Sequence, residues 1–125
     1  MSLAAYIDTT PFWEGAARRR LVLQVCRDTG RFQHLPRPLS IYTGSRNLGW
    51  REASGMGIVG SCSTLRIGQM PKSAVLVDLV AGVRMLSWIE QAGGHEVAPG
   101  LRVDVDWLLL KDGRRWPVFR PAQAN

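Results

Sequence analysis

Two short stretches of the chain have the spacing of a metal site. Cys26-Arg27-Asp28-Thr29-Gly30 has the form of a zinc knuckle, C-x-x-C-G, with Thr29 where the second thiol would stand. Ser40-Ile41-Tyr42-Thr43-Gly44 repeats the form with hydroxyls at both ligand positions. Cysteine at 29, 40 and 43 would complete a four-thiolate tetrahedral ribbon site. Only the Cys26 thiol is present, and the hydroxyls of Thr29, Ser40 and Thr43 are neutral groups that resist deprotonation. Zinc binding is therefore expected to be weak or absent, and the four positions read as a vestigial metal site. The plainer reading is two polar turns whose hydroxyls bond to nearby backbone.

Other chemistry finds less support. Ser61, Cys62 and Ser63 sit in a strand-like run without the Gly-x-Ser-x-Gly elbow of a nucleophile. Cys62 reads as a small buried apolar residue. His34 falls in a hairpin and His95 in a glycine-rich loop, and neither has a general base's partners nearby in sequence. Asp104 and Asp106 share one strand face, which the alternation assigns to solvent. No phosphate-binding glycine motif occurs. No residue is assigned a catalytic role.

Charge is the stronger signal. From Arg18 to Arg51 there are eight arginines (18, 19, 20, 27, 31, 37, 46 and 51) against one acid, Asp28, which makes that segment +7 while the whole chain is +6. The guanidinium fork suits phosphate and carboxylate. Arg37, Arg46 and Arg51 are the candidate anion-binding residues, and an anionic partner follows: a nucleotide-bearing cofactor, a nucleic acid or an acidic protein surface.

These residues must be held by short elements. Thr10, Pro11 and Glu14 mark a helix start, and the helix should run to about Arg19. Phe12 and Trp13 give it two large apolar anchors, suited to docking on a partner or to covering the chain's own core. Residues 21–26 and 31–35 read as a hairpin stopped by Pro36-Arg37-Pro38, and residues 48–53 begin a third strand. From Ser54 five strands follow: a glycine-interrupted run over 55–66, then 74–80, 83–88, 103–108 and 115–120. Pro117 suggests that the last is an edge. Glycine-coiled short strands suit a small Greek-key barrel such as the OB-fold, with an SH3-like barrel or half-sandwich as the alternative. The expected fold is mainly β: an N-terminal unit over 1–53 and a barrel over 54–125. The five tryptophans are expected to be core, although such barrels can also stack bases on aromatic rings.

Composition sets the outer bounds. The 125 residues are 46% hydrophobic and 21% charged, which is globular rather than disordered. No apolar run reaches the roughly 20 residues that span a bilayer. Met1 to Asp8 lacks the pattern of a secretory signal, and two cysteines cannot build a disulfide framework. A cytoplasmic, reduced chain is expected, with no membrane partner.

Taken together, Pro11-Phe12-Trp13-Glu14-Gly15, the run Arg20 to Gln33, Pro36-Arg37-Pro38 and Gly44-Ser45 resemble the zinc-ribbon and OB-fold family of acyl-CoA-associated proteins (domain of unknown function thirty-five). Gly55 to Val59, Val75 to Trp88, Gly100 to Val103 and Pro117 to Pro121 extend the resemblance through the barrel. The chain departs from the family at three zinc positions and in a short-looking loop from Arg66 to Ser73. The resemblance implies a rubredoxin-like ribbon, here degenerate, ahead of a five-stranded OB-fold. It implies an accessory subunit of a thiolase-fold or hydratase-fold enzyme, non-catalytic alone, that helps complete the partner's site and seat an acyl-CoA. Phe12 and Trp13 would then meet the partner, and Arg37, Arg46 and Arg51 the CoA phosphates. No cofactor of its own is expected beyond a CoA thioester held jointly with the partner. The alternative is an OB-fold that binds single-stranded nucleic acid.

Overall fold

A computed structural model describes residues 7–67, 70–90 and 92–122. The chain opens with helix α1, Thr10–Ala17. Thr10 was expected to cap it. Thr9 occupies the cap without a side-chain bond, and Asp8 satisfies the open end instead. Its carboxylate accepts from the Thr10 backbone N–H at 2.9 Å and from the Thr10 hydroxyl at 2.5 Å. The helix ends two residues earlier than expected. The Arg18 and Arg20 N–H groups both donate to the Gly15 carbonyl at 2.9 Å, turning the chain into the first strand.

Strands β1 (Val22–Cys26), β2 (Phe32–Gln33) and β3 (Leu48–Glu52) form an antiparallel sheet in the order β2-β1-β3. The return strand expected over 31–35 shrinks to two residues. Pro36 and Pro38 carry no N–H for a ladder, and two buried glutamine side chains take over the pairing.

Strands β4 (Met56–Ile67), β5 (Met70–Leu79), β6 (Arg84–Ile89), β7 (Arg102–Leu109) and β8 (Arg115–Pro121) close into a barrel in the order β4-β5-β6-β8-β7. β7 returns to β4 with Gly57 opposite Val103. Every pairing is antiparallel except β6 with β8, which meet in parallel at Ile89 and Phe119. That connectivity is the OB-fold. The register shift between Val59 and Ser61 makes Gly60 the extra residue of a bulge, the coiling device that the glycine spacing predicted. The segment expected as a loop from Arg66 is mostly strand, and its tip at 68–69 lies outside the described residues.

One expectation fails here. β8 is not an edge, because it lies between β6 and β7. Pro117 is tolerated because β6 pairs with β8 at a single position, and the Ser87 hydroxyl supplies a bond to the Pro117 carbonyl at 2.7 Å. The tryptophans form the rim of the core: none is fully buried, Trp13, Trp50, Trp107 and Trp116 pack against the buried cluster, and Trp88 is half-buried on β6. Branched aliphatics fill the interior instead. Val59, Val75, Val77 and Val103 surround Phe119, and all are at most 1% exposed. Phe12, Leu21, Leu23 and Ala53 join that cluster from the N-terminal part, so helix, ribbon and barrel share one hydrophobic core.

Candidate functional site

The two candidate knuckles are built alike. In the first, Cys26 N–H donates to the Arg31 carbonyl at 2.8 Å and Gly30 N–H to the Cys26 carbonyl at 2.7 Å. In the second, Ser40 N–H donates to the Ser45 carbonyl at 2.8 Å and Gly44 N–H to the Ser40 carbonyl at 2.9 Å. The hydroxyls match too: Arg31 N–H donates to Thr29 Oγ1 and Ser45 N–H to Thr43 Oγ1. Gly30 and Gly44 stand at φ 74° and 75°, the left-handed region that glycine occupies at no steric cost. Both turns therefore keep a knuckle backbone, and Cys26, Thr29, Ser40 and Thr43 occupy equivalent ligand positions on them.

The donors at those positions do not fit zinc. Ser40 Oγ accepts the backbone N–H groups of Tyr42 and Thr43 at 3.0 and 3.2 Å, and Thr43 Oγ1 donates to Asp28 at 3.1 Å. Cys26 is fully buried. The hydroxyls of Ser40, chiefly, and Thr29 hold its thiol down to about 7. One thiol among three engaged, neutral hydroxyls is not a tetrahedral thiolate set.

What joins the knuckles is a carboxylate. Asp28, in the first turn, accepts from Ser45 Oγ at 2.5 Å, Thr43 Oγ1 at 3.1 Å and Asn47 Nδ2 at 2.8 Å. Those bonds, Ser45 first, hold the Asp28 carboxyl below the usual range. A second clasp lies underneath. Gln24 and Gln33 face each other across β1 and β2, at 4% and 1% exposure. Gln33 Nε2 donates to Gln24 Oε1 at 2.5 Å and to the Leu39 carbonyl at 3.2 Å, and its Oε1 accepts from Ile41 N–H at 2.9 Å. Gln24 closes a two-way bond with the Arg37 backbone, at 2.8 and 2.9 Å. Sequence reasoning missed both clasps. A glutamine inside the apolar run Leu21 to Cys26 was the available signal, as was a lone acid among eight arginines.

Phe12 and Trp13 come together on β8. Phe12 is buried, its ring 5.1 Å from Trp13 and 6.0 Å from Trp116, both edge-on. Trp13 is half-buried, and the Arg114 guanidinium lies over its ring at 4.3 Å. α1 is thus seated on the barrel through Phe12, while Trp13 keeps part of its surface open.

The arginines are dispersed rather than gathered. All eight from Arg18 to Arg51 are exposed. Among the described residues only Arg20 of them meets a carboxylate, Glu52 at 3.6 Å. Arg51 lies on β3, Arg46 between the second knuckle and β3, and Arg37 beyond β2. The groups weighed for catalysis stay apart as well. His34 is half-buried, and burial pushes its pKa down. His95 is exposed, with Nδ1 3.0 Å from the Ala92 carbonyl. It lines a cavity of about 520 Å³ with Glu90 and Asp106, but no hydrogen bond joins it to either among the described residues.

A knuckle-bearing ribbon packed against an OB barrel defines a class, and comparison with known proteins gives the family. The family described as "ChsH2, rubredoxin-like zinc ribbon domain" matches residues 13–39. A solved chain of an "Ltp2-ChsH2(DUF35) aldolase" superposes with a TM-score of 0.82 at 31% identity, covering 98% of this chain and 100% of that one. The chain belongs to the DUF35 family of zinc-ribbon and OB-fold proteins. It is also 33% identical over 117 residues to the "Probable enoyl-CoA hydratase alpha subunit" of Thermomonospora curvata, covering 89% of this chain and 37% of that protein. With the "3-oxo-4,17-pregnadiene-20-carboxyl-CoA hydratase alpha subunit" of Mycobacterium tuberculosis the identity is 30%, over 90% of this chain and 36% of that protein. The chain therefore spans little more than a third of these two relatives.

Proposed function

We propose that this chain is an accessory subunit of an enzyme that processes acyl-CoA thioesters, with no catalytic residues of its own. The observation that carries this reading is the end-to-end likeness, in sequence and in fold, to a chain of an aldolase assembly. The two hydratase alpha subunits support the acyl-CoA chemistry. In this reading the chain meets a thiolase-fold or hydratase-fold partner in the cytoplasm, through the face around Trp13. Arg37, exposed beyond β2 and without a carboxylate partner among the described residues, is free to meet a CoA phosphate as the thioester is seated. The N-terminal unit over 1–53 does the docking, and the barrel over 54–125 flanks the acyl entrance.

The barrel favours this over single-stranded nucleic acid. An OB-fold reads oligonucleotides on its second and third strands, here β5 and β6. The described cations there are spent on carboxylates: Lys72 on Glu90 at 3.3 Å and Arg84 on Asp78 at 2.7 Å. The one ring on that face of β6, Trp88, is half-buried, with Lys72 over it at 5.8 Å and its indole N–H donated to Glu90 at 2.5 Å.

The test is co-purification of the natural protein from its own cells. Recovery of a thiolase- or hydratase-fold subunit, with acyl-CoA turnover in the pair and none in the purified chain, is expected. Turnover by the chain alone, or a partner of neither fold, overturns the reading.

A further inference from the structure

The two edges of the ribbon are finished differently. On the β2 side the strand has two residues, and Pro36 and Pro38 follow, a combination that blunts an edge. On the other side β3 runs five residues, Leu48–Glu52, with neither proline nor bulge. The register shows where its polar groups point. Ala53 N–H donates to the Leu21 carbonyl at 2.7 Å and Arg27 N–H to the Asn47 carbonyl at 2.9 Å. These mark the hydrogen-bonded pairs of the β1–β3 ladder, which alternate with non-bonded pairs. Residues 47, 49, 51 and 53 therefore turn toward β1, and Leu48, Trp50 and Glu52 turn their N–H and C=O outward. Leu48 N–H is satisfied locally by the Arg46 carbonyl at 2.8 Å. No described residue pairs with the main chain of Trp50 or Glu52.

Charge around this edge is predominantly positive. Arg46 and Arg51 are exposed and meet no carboxylate among the described residues. The one acid on the strand, Glu52, is engaged by Arg20. An open ladder bordered by unpaired guanidiniums complements an extended chain that carries carboxylates.

We propose that the β3 edge is a docking strand for an extended acidic segment of a partner protein. The segment adds to the ribbon as a fourth strand. Its main chain bonds to Trp50 and Glu52, and its carboxylates meet Arg46 and Arg51. That the segment belongs to the catalytic subunit rests on the accessory-subunit reading; the edge itself does not. A nucleic acid fits worse, because a phosphodiester backbone offers acceptors alone and leaves the outward carbonyls of Trp50 and Glu52 without donors.

Amide hydrogen exchange on the full chain tests this. The probes are a peptide of about ten residues alternating Glu and Val, the same peptide with Lys for Glu, and an oligothymidylate of similar length. The Glu peptide should slow exchange at Trp50 and Glu52 about tenfold or more, and the Lys peptide should not. R46E/R51E, which changes two exposed side chains, should reverse that preference. No slowing with the Glu peptide, equal slowing with both peptides, or slowing by the oligothymidylate instead overturns the proposal. A slowed edge in a chain that recovers no acyl-CoA enzyme sinks only the reading of the owner. An acyl-CoA enzyme recovered by a chain whose edge ignores the Glu peptide sinks only the docking strand.

Discussion

Asp28 and the pair Gln24–Gln33 do by hydrogen bonding what a metal does in a four-thiolate ribbon: they tie two turns that are distant in sequence. The glutamine pair is the more deeply buried clasp. Gln33→Leu would strand the Ile41 N–H and the Leu39 carbonyl, and a buried orphan of this kind costs about 1–3 kcal/mol. A loss of about 2 kcal/mol in denaturant unfolding is expected, with the barrel signals unchanged in the native state. His34 makes a second prediction. Burial disfavours its charged form, so its pKa in the fold lies below the ordinary 6.5. As pH falls below about 6.5 the unfolded chain takes up the proton first, and stability drops until the folded chain protonates as well. Melting temperatures recorded across this window should fall with pH, and H34Q should flatten the slope.

The two knuckles make a prediction about chemistry that was lost. Their backbones match bond for bond, so the frame for four ligands is in place and the donor atoms are wrong. T29C/S40C/T43C should bind one zinc ion per chain with a thiolate-to-metal absorption band when cobalt is substituted, and the natural sequence should show neither. Stoichiometric zinc in the natural chain would mean that the hydroxyl argument is wrong. Helix α1 carries another prediction. Eight residues are too few to hold a helix by themselves, and Phe12 on Trp116 supplies the anchor. W13A should cost the fold about 1–2 kcal/mol and weaken partner co-purification about tenfold or more. A lower melting point with unchanged assembly would assign Trp13 to the fold alone.

Charge separates the molecule's two halves. The ribbon side carries seven arginines without carboxylate partners among the described residues, while β5 and β6 neutralise theirs. Assembly with the proposed partner subunit should therefore weaken steeply with added salt, because exposed pairs are screened beyond about 10 Å at ~0.1 M. Co-purification yield measured across a salt series checks this. A salt-indifferent complex would point instead to the exposed apolar side chains Leu86, Val80 and Met56 as its cement.

Strand alternation, glycine punctuation and the twin Cys26–Gly30 and Ser40–Gly44 spacings already specified five barrel strands and a hairpin with two turns. These are local facts, since period and turn chemistry depend on near neighbours. The arginine cluster was equally plain, because charge is counted and not folded. Three things depended on distant contacts. Pro117 had to be seen between β6 and β7, where barrel closure removes the edge that its sequence implied. Gln24, Gln33 and Asp28 became clasps only when residues 6 to 19 positions apart met in space. The outward main chain of Trp50 and Glu52 emerged from the β1–β3 register, because hydrogen-bond parity across a ladder is set by pairing and leaves no trace in either strand alone.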